Sequence, residues 1–306
     1  MIDEHAVLDS GYKENFTGFQ ATGEKCPIKD PGANGSDSAQ RLVAVTNESE
    51  FAQFRASVPP RADDETVDAL FDGRIKLYQS RGGYRVSLDA VLLAHFVQIK
   101  PDAKIVELGA GNGAIILMLA YRHPAARFTG IEIQAAMLAR ARRNVVLNGL
   151  QERVKMLGGD VRAIAALAAA GSYDLAICNP PYRSALSGRV SPNPEKRIAR
   201  HESEGALGHF LQAGSYLLAK RGRMALVYPA FRCVDLLTSM RAAGIEPKRL
   251  RMVHSFRGSA ASLVLVDGVK GGKSQIAVEA PLVVYDDQRR YTAEVTAMLS
   301  GTAGKI

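Results

Sequence analysis

From about residue 62 onward, apolar runs of strand length alternate with segments of helical period, and this alternation constrains the fold more than any other feature. The pattern predicts a helix at 87–97 (SLDAVLLAHFV), then strand 105–108, helix 114–122, strand 128–133, helix 135–148 and strand 154–157. A short alanine-rich helix at 161–170, strand 175–178, helix 205–219, strand 224–228 and helix 234–243 continue the series. In the segment 205–219, Leu207, Phe210, Leu211, Gly214, Leu217 and Leu218 recur at the helical spacing. Strands separated by helices of this length form a mostly parallel sheet covered on both faces, a doubly wound α/β fold. The runs 251–253 and 262–266 have no helix between them, too short a link for a parallel crossover, so they are expected to pair antiparallel. Ahead of the first helix, GRIKLYQSRGGYRV reads as a hairpin turning at Gly82 and Gly83.

The first 61 residues are rich in Gly, Ser, Asp, Asn and Pro and keep neither a helical nor a strand period, apart from one short helix expected around 48–56. Residues 1–65 are therefore read as a disordered or poorly ordered tail, and 66–300 as the folded unit. Charge divides the same way. The tail carries 12 acids against 6 bases, whereas the remainder carries 33 bases against 19 acids. A body this basic suits a polyanionic partner, most simply nucleic acid. Cys26, Cys178 and Cys233 form no C-x-x-C pair, which argues against a disulfide framework and a zinc site and for a reducing cytoplasm. The N-terminus is acidic without an apolar run, and no stretch of about 18 apolar residues follows, so neither export nor membrane insertion is expected. No metal is expected either, and the oligomeric state is not legible.

The first sheet strand ends in Glu107-Leu108-Gly109-Ala110-Gly111-Asn112-Gly113 and a helix follows at once. Glycines at such a turn let a nucleotide approach the backbone near a positive helix end. The spacing is not that of a pyrophosphate cradle, and Glu107 would repel a dinucleotide while attracting a cation, such as the amino and sulfonium groups of S-adenosylmethionine. Glu132 closes the second strand, where a carboxylate can accept ribose hydroxyls. Asp160, after the third, could hold an adenine amine, although any one such acid could equally cap a helix. The fourth strand runs into Asn179-Pro180-Pro181-Tyr182. Two prolines remove two N–H donors, so this turn presents acceptors. An aromatic amine is a poor nucleophile because its lone pair is delocalised. Accepting both its hydrogens, at the Asn179 side-chain oxygen and the Pro180 carbonyl, concentrates density on nitrogen and orients the lone pair. Tyr182 would stack on a base taken out of its neighbours' stack.

Taken together, Glu107 with the glycine turn, Glu132, Asp160 and Asn179-Pro180-Pro181-Tyr182 resemble the amino-methyltransferases that carry an N-P-P-Y motif. Three further segments, LYQSRGGYRVSLDAVLLAHFV, YRSALSGRVSPNPEKRIARHE and APLVVYDDQRRYTAEVTAML, are similar to the bacterial valine-tRNA (adenine-37-N6) methyltransferase family. The resemblance spans roughly residues 68–299. It implies a class I, Rossmann-like, seven-stranded sheet with an antiparallel final strand, S-adenosylmethionine as cofactor, and methylation of the N6 amine of an adenine in RNA, with tRNA as partner. It further implies that Glu107, Gly109 and Gly111 line the methionine end of the cofactor, Glu132 the ribose and Asp160 the adenine. Asp89 could face the cofactor from the other side, or simply compensate the dipole of its own helix. The linker after Tyr182 carries Arg183, Arg189, Lys196, Arg197 and Arg200 against Glu195 alone, and is expected to meet RNA phosphates.

Rival functions are a protein glutamine methyltransferase, which has the same lone-pair problem, and a DNA or another RNA amino-methyltransferase. The first would need an N-terminal helical bundle, which residues 1–65 are too rich in helix breakers to form. A DNA enzyme would need a target-recognition domain, for which no chain is left over. A non-catalytic S-adenosylmethionine- or RNA-binding module would have no need of paired acceptors, and a dehydrogenase would bind nicotinamide instead.

Overall fold

A computed structural model describes residues 60–83, 85–181 and 206–302. The expected tail up to residue 59, the helix expected at 48–56, Tyr182 and the linker cations Arg183, Arg189, Lys196, Arg197 and Arg200 lie outside the described residues.

The central sheet is built from β3 (Lys104–Leu108), β4 (Arg127–Glu132), β5 (Val154–Gly158), β6 (Tyr173–Cys178), β7 (Leu218–Pro229), β8 (Ile245–Phe256), β9 (Ala261–Lys270), β10 (Ala277–Val278) and β11 (Leu282–Tyr285). Their order is β10-β8-β9-β7-β6-β3-β4-β5, with β11 also on β8. Every pairing is parallel except those of β9, which runs antiparallel between β7 and β8. Seven strands and one reversal were legible from the apolar runs. The sheet carries two more, because β10 is only two residues long and β11 four, too short to show a period. Alternate residues face opposite layers. Ile105 and Ile177 join one core, with α1 (Leu88–Phe96), α2 (Ala114–Arg122) and part of α3 (Ala135–Leu147). Val106 and Ala176 join the other, with α4 (Ala206–Leu217) and α5 (Cys233–Ala242). A last helix, α6 (Ala293–Leu299), is capped by the Thr292 side chain.

Two details differ from expectation. The N-terminal hairpin pairs β1 (Glu65–Leu70) with β2 (Ile75–Ser80), so it turns at residues 71–74 and not at Gly82 and Gly83. Phe71, Asp72 and Gly73 all have positive φ there. A non-glycine residue in that region costs on the order of 1–3 kcal/mol. Phe71 is held in it because its ring is buried against His95 and Tyr121. Gly83 instead donates its N–H to the Ser80 hydroxyl as the chain leaves β2. The alanine-rich segment forms a 3-10 helix over Val161–Ala166, interrupted at Ala163, rather than a helix over 161–170. Its tighter winding seats Leu167 against Gly159, where even a methyl group would collide.

The hairpin is bound to the sheet by α3. Glu65, buried in β1, pairs with Arg140 at 2.8 Å and Arg143 at 2.5 Å. Burial alone would raise the Glu65 pKa, but the hydrogen bonds from Arg143 and Arg140 outweigh it and hold the carboxyl at about 2. A depressed carboxylate contributes stability that is complete above the ordinary value near 4.5 and is lost as pH falls through about 2. Glu65→Gln should therefore cost roughly 3 kcal/mol at neutral pH and flatten the acid limb of the stability curve between those values. Equilibrium unfolding of both proteins from pH 7 to pH 2 measures this, and parallel curves would show that the pair contributes nothing.

Candidate active site

The strand order reverses between β3 and β6, since β4 and β5 extend the sheet on one side and β7 on the other. In open α/β sheets ligands bind beyond the carboxyl ends of the strands at such a point. Residues 109–113 leave β3 exactly there. Gly109 and Gly111 have φ of 71° and 57°, a region where any side chain is strained. A Cβ on Gly109 would also meet the Phe210 ring of α4 at 3.2 Å. The turn is fixed by Gly109 and Ala110 N–H groups donating to the Ile131 carbonyl, at 2.9 and 3.0 Å.

Glu107, next to last in β3, is 2% exposed, and its Oε2 is buried with no hydrogen-bond partner among the described residues. Burial pushes its pKa well up, the nearby Glu132 charge adds to this, and the Ile116 N–H at the start of α2 opposes it. A buried acceptor left bare is costly unless something meets it. Glu132, closing β4, uses Oε2 to accept the Gly111 N–H at 2.7 Å and Oε1 to accept that of Gln134 at 2.8 Å. Glu132 thus positions the glycine turn through its own carboxylate.

Asp160 follows β5 at the same edge, but here it caps the 3-10 helix through the Arg162 N–H at 2.8 Å and pairs with the Arg162 guanidinium at 2.5 Å. Those interactions hold its carboxyl below the usual range. Asp89 lies buried in the first turn of α1 and accepts the Ser87 hydroxyl and the Ala90 N–H. Asp160 thus fills the capping role that a strand-end acid can take, whereas Asp89 is an acid in the first turn of a helix whose N-cap is Ser87.

Asn179, Pro180 and Pro181 continue directly from β6. Cys178 pairs with Leu108 on one side and Leu226 on the other, so Asn179 stands beside Gly109 at the reversal point. Pro180 is buried, and Asn179 and Pro181 are half-buried. One strand further, Phe231 follows β7 in the 3-10 helix Ala230–Arg232 with 79% of its surface exposed. The sequence reading did not single out this residue, which lies in a three-residue 3-10 helix between β7 and α5, too short to show a period.

It also missed the supports of the glycine turn. Asn144 of α3, fully buried, accepts the Tyr78 N–H at 2.7 Å and donates to the Tyr78 and Asn112 carbonyls at 3.2 and 2.9 Å. One turn later Asn148 clasps the Lys76 N–H and carbonyl in the same manner. The two amides therefore satisfy the open edge of β2 and fix the hairpin to the turn. A readable signal existed: Asn144 falls on the apolar stripe of Met137, Ala141 and Val145.

A family model described as "Methyltransferase small domain" matches residues 86–237, which include the glycine turn and Asn179-Pro180-Pro181. A tRNA1(Val) (adenine(37)-N6)-methyltransferase of Porphyromonas gingivalis is 34% identical over 189 residues, covering 60% of this chain and 73% of that protein. The chain belongs to that family. A second member, from Tolumonas auensis, is 28% identical over 72% of this chain and 90% of its own length. A solved structure, of a predicted O-methyltransferase from Agrobacterium tumefaciens, shares the fold with a TM-score of 0.59 and 23% identity, over 70% of this chain and 97% of that one. This methyltransferase uses S-adenosylmethionine, and the bare, buried Glu107 Oε2 fits a group bearing a cationic amine. Among the described residues, no helix is long and apolar enough to cross a membrane.

Proposed function

We propose that this enzyme methylates the N6 amine of adenine-37 in a valine tRNA, in the cytoplasm. The observation that carries the reading is the Asn179-Pro180-Pro181 turn beside the glycine turn at the reversal point of the sheet. S-adenosylmethionine, when bound, supplies an electrophilic methyl group on a sulfonium. Glu107 would hold its amine and Glu132 its ribose, while Asp160 would contact the adenine by sharing the carboxylate that Arg162 engages. Asp89 would border the cofactor from the α1 side.

On the other side of the methyl group, the Asn179 side-chain oxygen and the Pro180 carbonyl would each accept one hydrogen of the adenine amine. Both hydrogens held in this way turn the nitrogen lone pair toward the methyl carbon. The C–N bond would form with the lone pair as the methyl carbon's bond to sulfur breaks and its electron pair stays on sulfur, now a neutral thioether; the surplus proton would pass to solvent afterwards, so no strong base is needed beforehand. Pro181 stiffens the turn, and Tyr182 would stack on the extruded base. The linker cations would hold the flanking phosphates.

The reading is tested with three substrates: a valine tRNA transcript, the same transcript with guanine at position 37, and a release factor whose glutamine the rival reaction would modify. Transfer of labelled methyl to the first alone is expected. Transfer to the release factor, or undiminished transfer to the guanine transcript, would replace this reading. Salt gives a further expected result. If three linker cations meet phosphates, log K should fall with log salt at a slope near −2, roughly −0.7 for each contact. Arg197→Ala with Arg200→Ala should flatten that slope without altering cofactor affinity, as filter binding from 50 to 200 mM salt would measure.

A further inference from the structure

The resemblance extends through the C-terminal strand and helix, yet neither the cofactor site nor the acceptor turn uses them. Between this segment and the end of β8, three aromatic rings form a row. Phe256, the last residue of β8, lies 5.5 Å from Tyr285, the last of β11, and Tyr285 is stacked on Tyr291 at 5.2 Å. Phe256 and Tyr291 are each 37% exposed. The row is locally rigid: Tyr285 and Tyr291 form a β-bridge, Asp286 takes the Arg290 and Gln288 N–H groups, and the Thr292 hydroxyl donates to the Val283 carbonyl.

Strand direction sets where the row stands. β8 and β11 are parallel to β6, so the row belongs to the edge that carries Asn179. Laterally, β8 is three strand spacings from β6, roughly 14 Å. Leu226 is level with Cys178, Pro229 and Val253 are both paired with Leu263, and Phe256 lies three residues beyond Val253. Phe256 therefore lies about five residues of strand beyond the level of Asn179, roughly 17 Å. That is too far for the target base and suits its neighbours in the strand. Two exposed arginines flank the row, Arg257 and Arg289, neither in an ion pair among the described residues, and Asp287 is the exposed acid between them. Stacked aromatic faces with flanking cations suit bases joined by phosphates.

We propose that Phe256, Tyr285 and Tyr291, with Arg257 and Arg289, form a stacking platform for single-stranded RNA nucleotides flanking the target adenine. The proposal rests on the RNA-methylating reading above and extends it. Such contacts exist equally before and during methyl transfer, so their loss raises KM and spares kcat.

The full-length chain is tested with the valine tRNA transcript. Tyr291→Leu should raise KM for tRNA by about tenfold, the scale of one lost stack, with kcat and cofactor affinity unchanged. Tyr291→Phe, which keeps the ring, should restore the wild-type KM. Arg257→Gln with Arg289→Gln, both on the surface, should reduce the salt slope of tRNA binding by about 1.4, whether or not the leucine variant keeps its melting temperature. If the wild type methylates tRNA and all variants match it, the platform is overturned while the function stands, leaving the row as protein packing or a protein-docking surface. A phenylalanine variant as weak as the leucine one would overturn stacking specifically. A wild type that methylates no adenine in any RNA would overturn both.

Discussion

Asn179→Ala is expected to lower turnover by about two to three orders of magnitude while leaving S-adenosylmethionine affinity almost unchanged, the scale for removing one preorganised polar group at a reacting centre. The reasoning is positional. Asn179 leaves β6 next to the glycine turn but is no part of it, and the turn is held by the Ile131 carbonyl and Glu132 instead. Pro180 and Pro181 already fix the backbone, so truncating the side chain removes an acceptor without releasing the turn. Single-turnover methyl transfer and calorimetric cofactor titration separate the two effects. Full activity in the variant would reduce Asn179 to a turn former, and a matching loss of cofactor affinity would move it into the cofactor site.

Glu107→Gln should act in the opposite manner, weakening S-adenosylmethionine binding on the order of a hundredfold. Its carboxyl is buried with one oxygen unpartnered, and burial raises its pKa, so without ligand the charged form is disfavoured relative to an exposed carboxyl. A carboxyl whose pKa is raised on folding contributes stability below its ordinary value, near 4.5, and loses it as pH rises through the folded value. Glutamine is neutral at every pH. The ligand-free variant should therefore melt higher than the wild type at alkaline pH, by a few degrees, with the difference closing toward pH 4.5. Wild-type cofactor affinity should strengthen as pH climbs above the ordinary carboxylate range, because the acid must shed its proton to face a cation, whereas the variant should lack that dependence. Thermal melts and calorimetry across pH test both halves. An unaltered affinity would remove Glu107 from the cofactor site.

The parallel core was legible because strand and helix periods are long there. Helix 114–122 was read to the residue, and the reversal at β9 followed from a link too short for a crossover. The hairpin turn was misplaced because Gly82-Gly83 is the stronger local signal, whereas the true turn is fixed by burial of Phe71, a tertiary effect. At the site, Glu107, Glu132 and Asn179 were legible as candidates because each lies at or beside the carboxyl end of a strand of the parallel sheet. Asn144 and Asn148 escaped notice, since what they clasp is the open edge of a strand some 66 to 72 residues away in sequence. The aromatic row was hidden for a related reason. Phe256 and Tyr285 come from two strands that become neighbours only in the folded sheet, and Tyr291 from the segment that follows the second.

The central claim concerns a single atom, the exocyclic nitrogen of one adenine. Valine tRNA incubated with the enzyme and S-adenosylmethionine bearing a deuterated methyl group, then digested and resolved by nucleoside mass spectrometry, tests it most directly. The expected product is N6-methyladenosine with the label, at one residue per tRNA and located to position 37 by fragment mapping. Label on a ring nitrogen or carbon of adenine, on another base, or nowhere in the tRNA would contradict the account, because an acceptor pair at Asn179 and Pro180 has work to do only on an amine that carries two hydrogens.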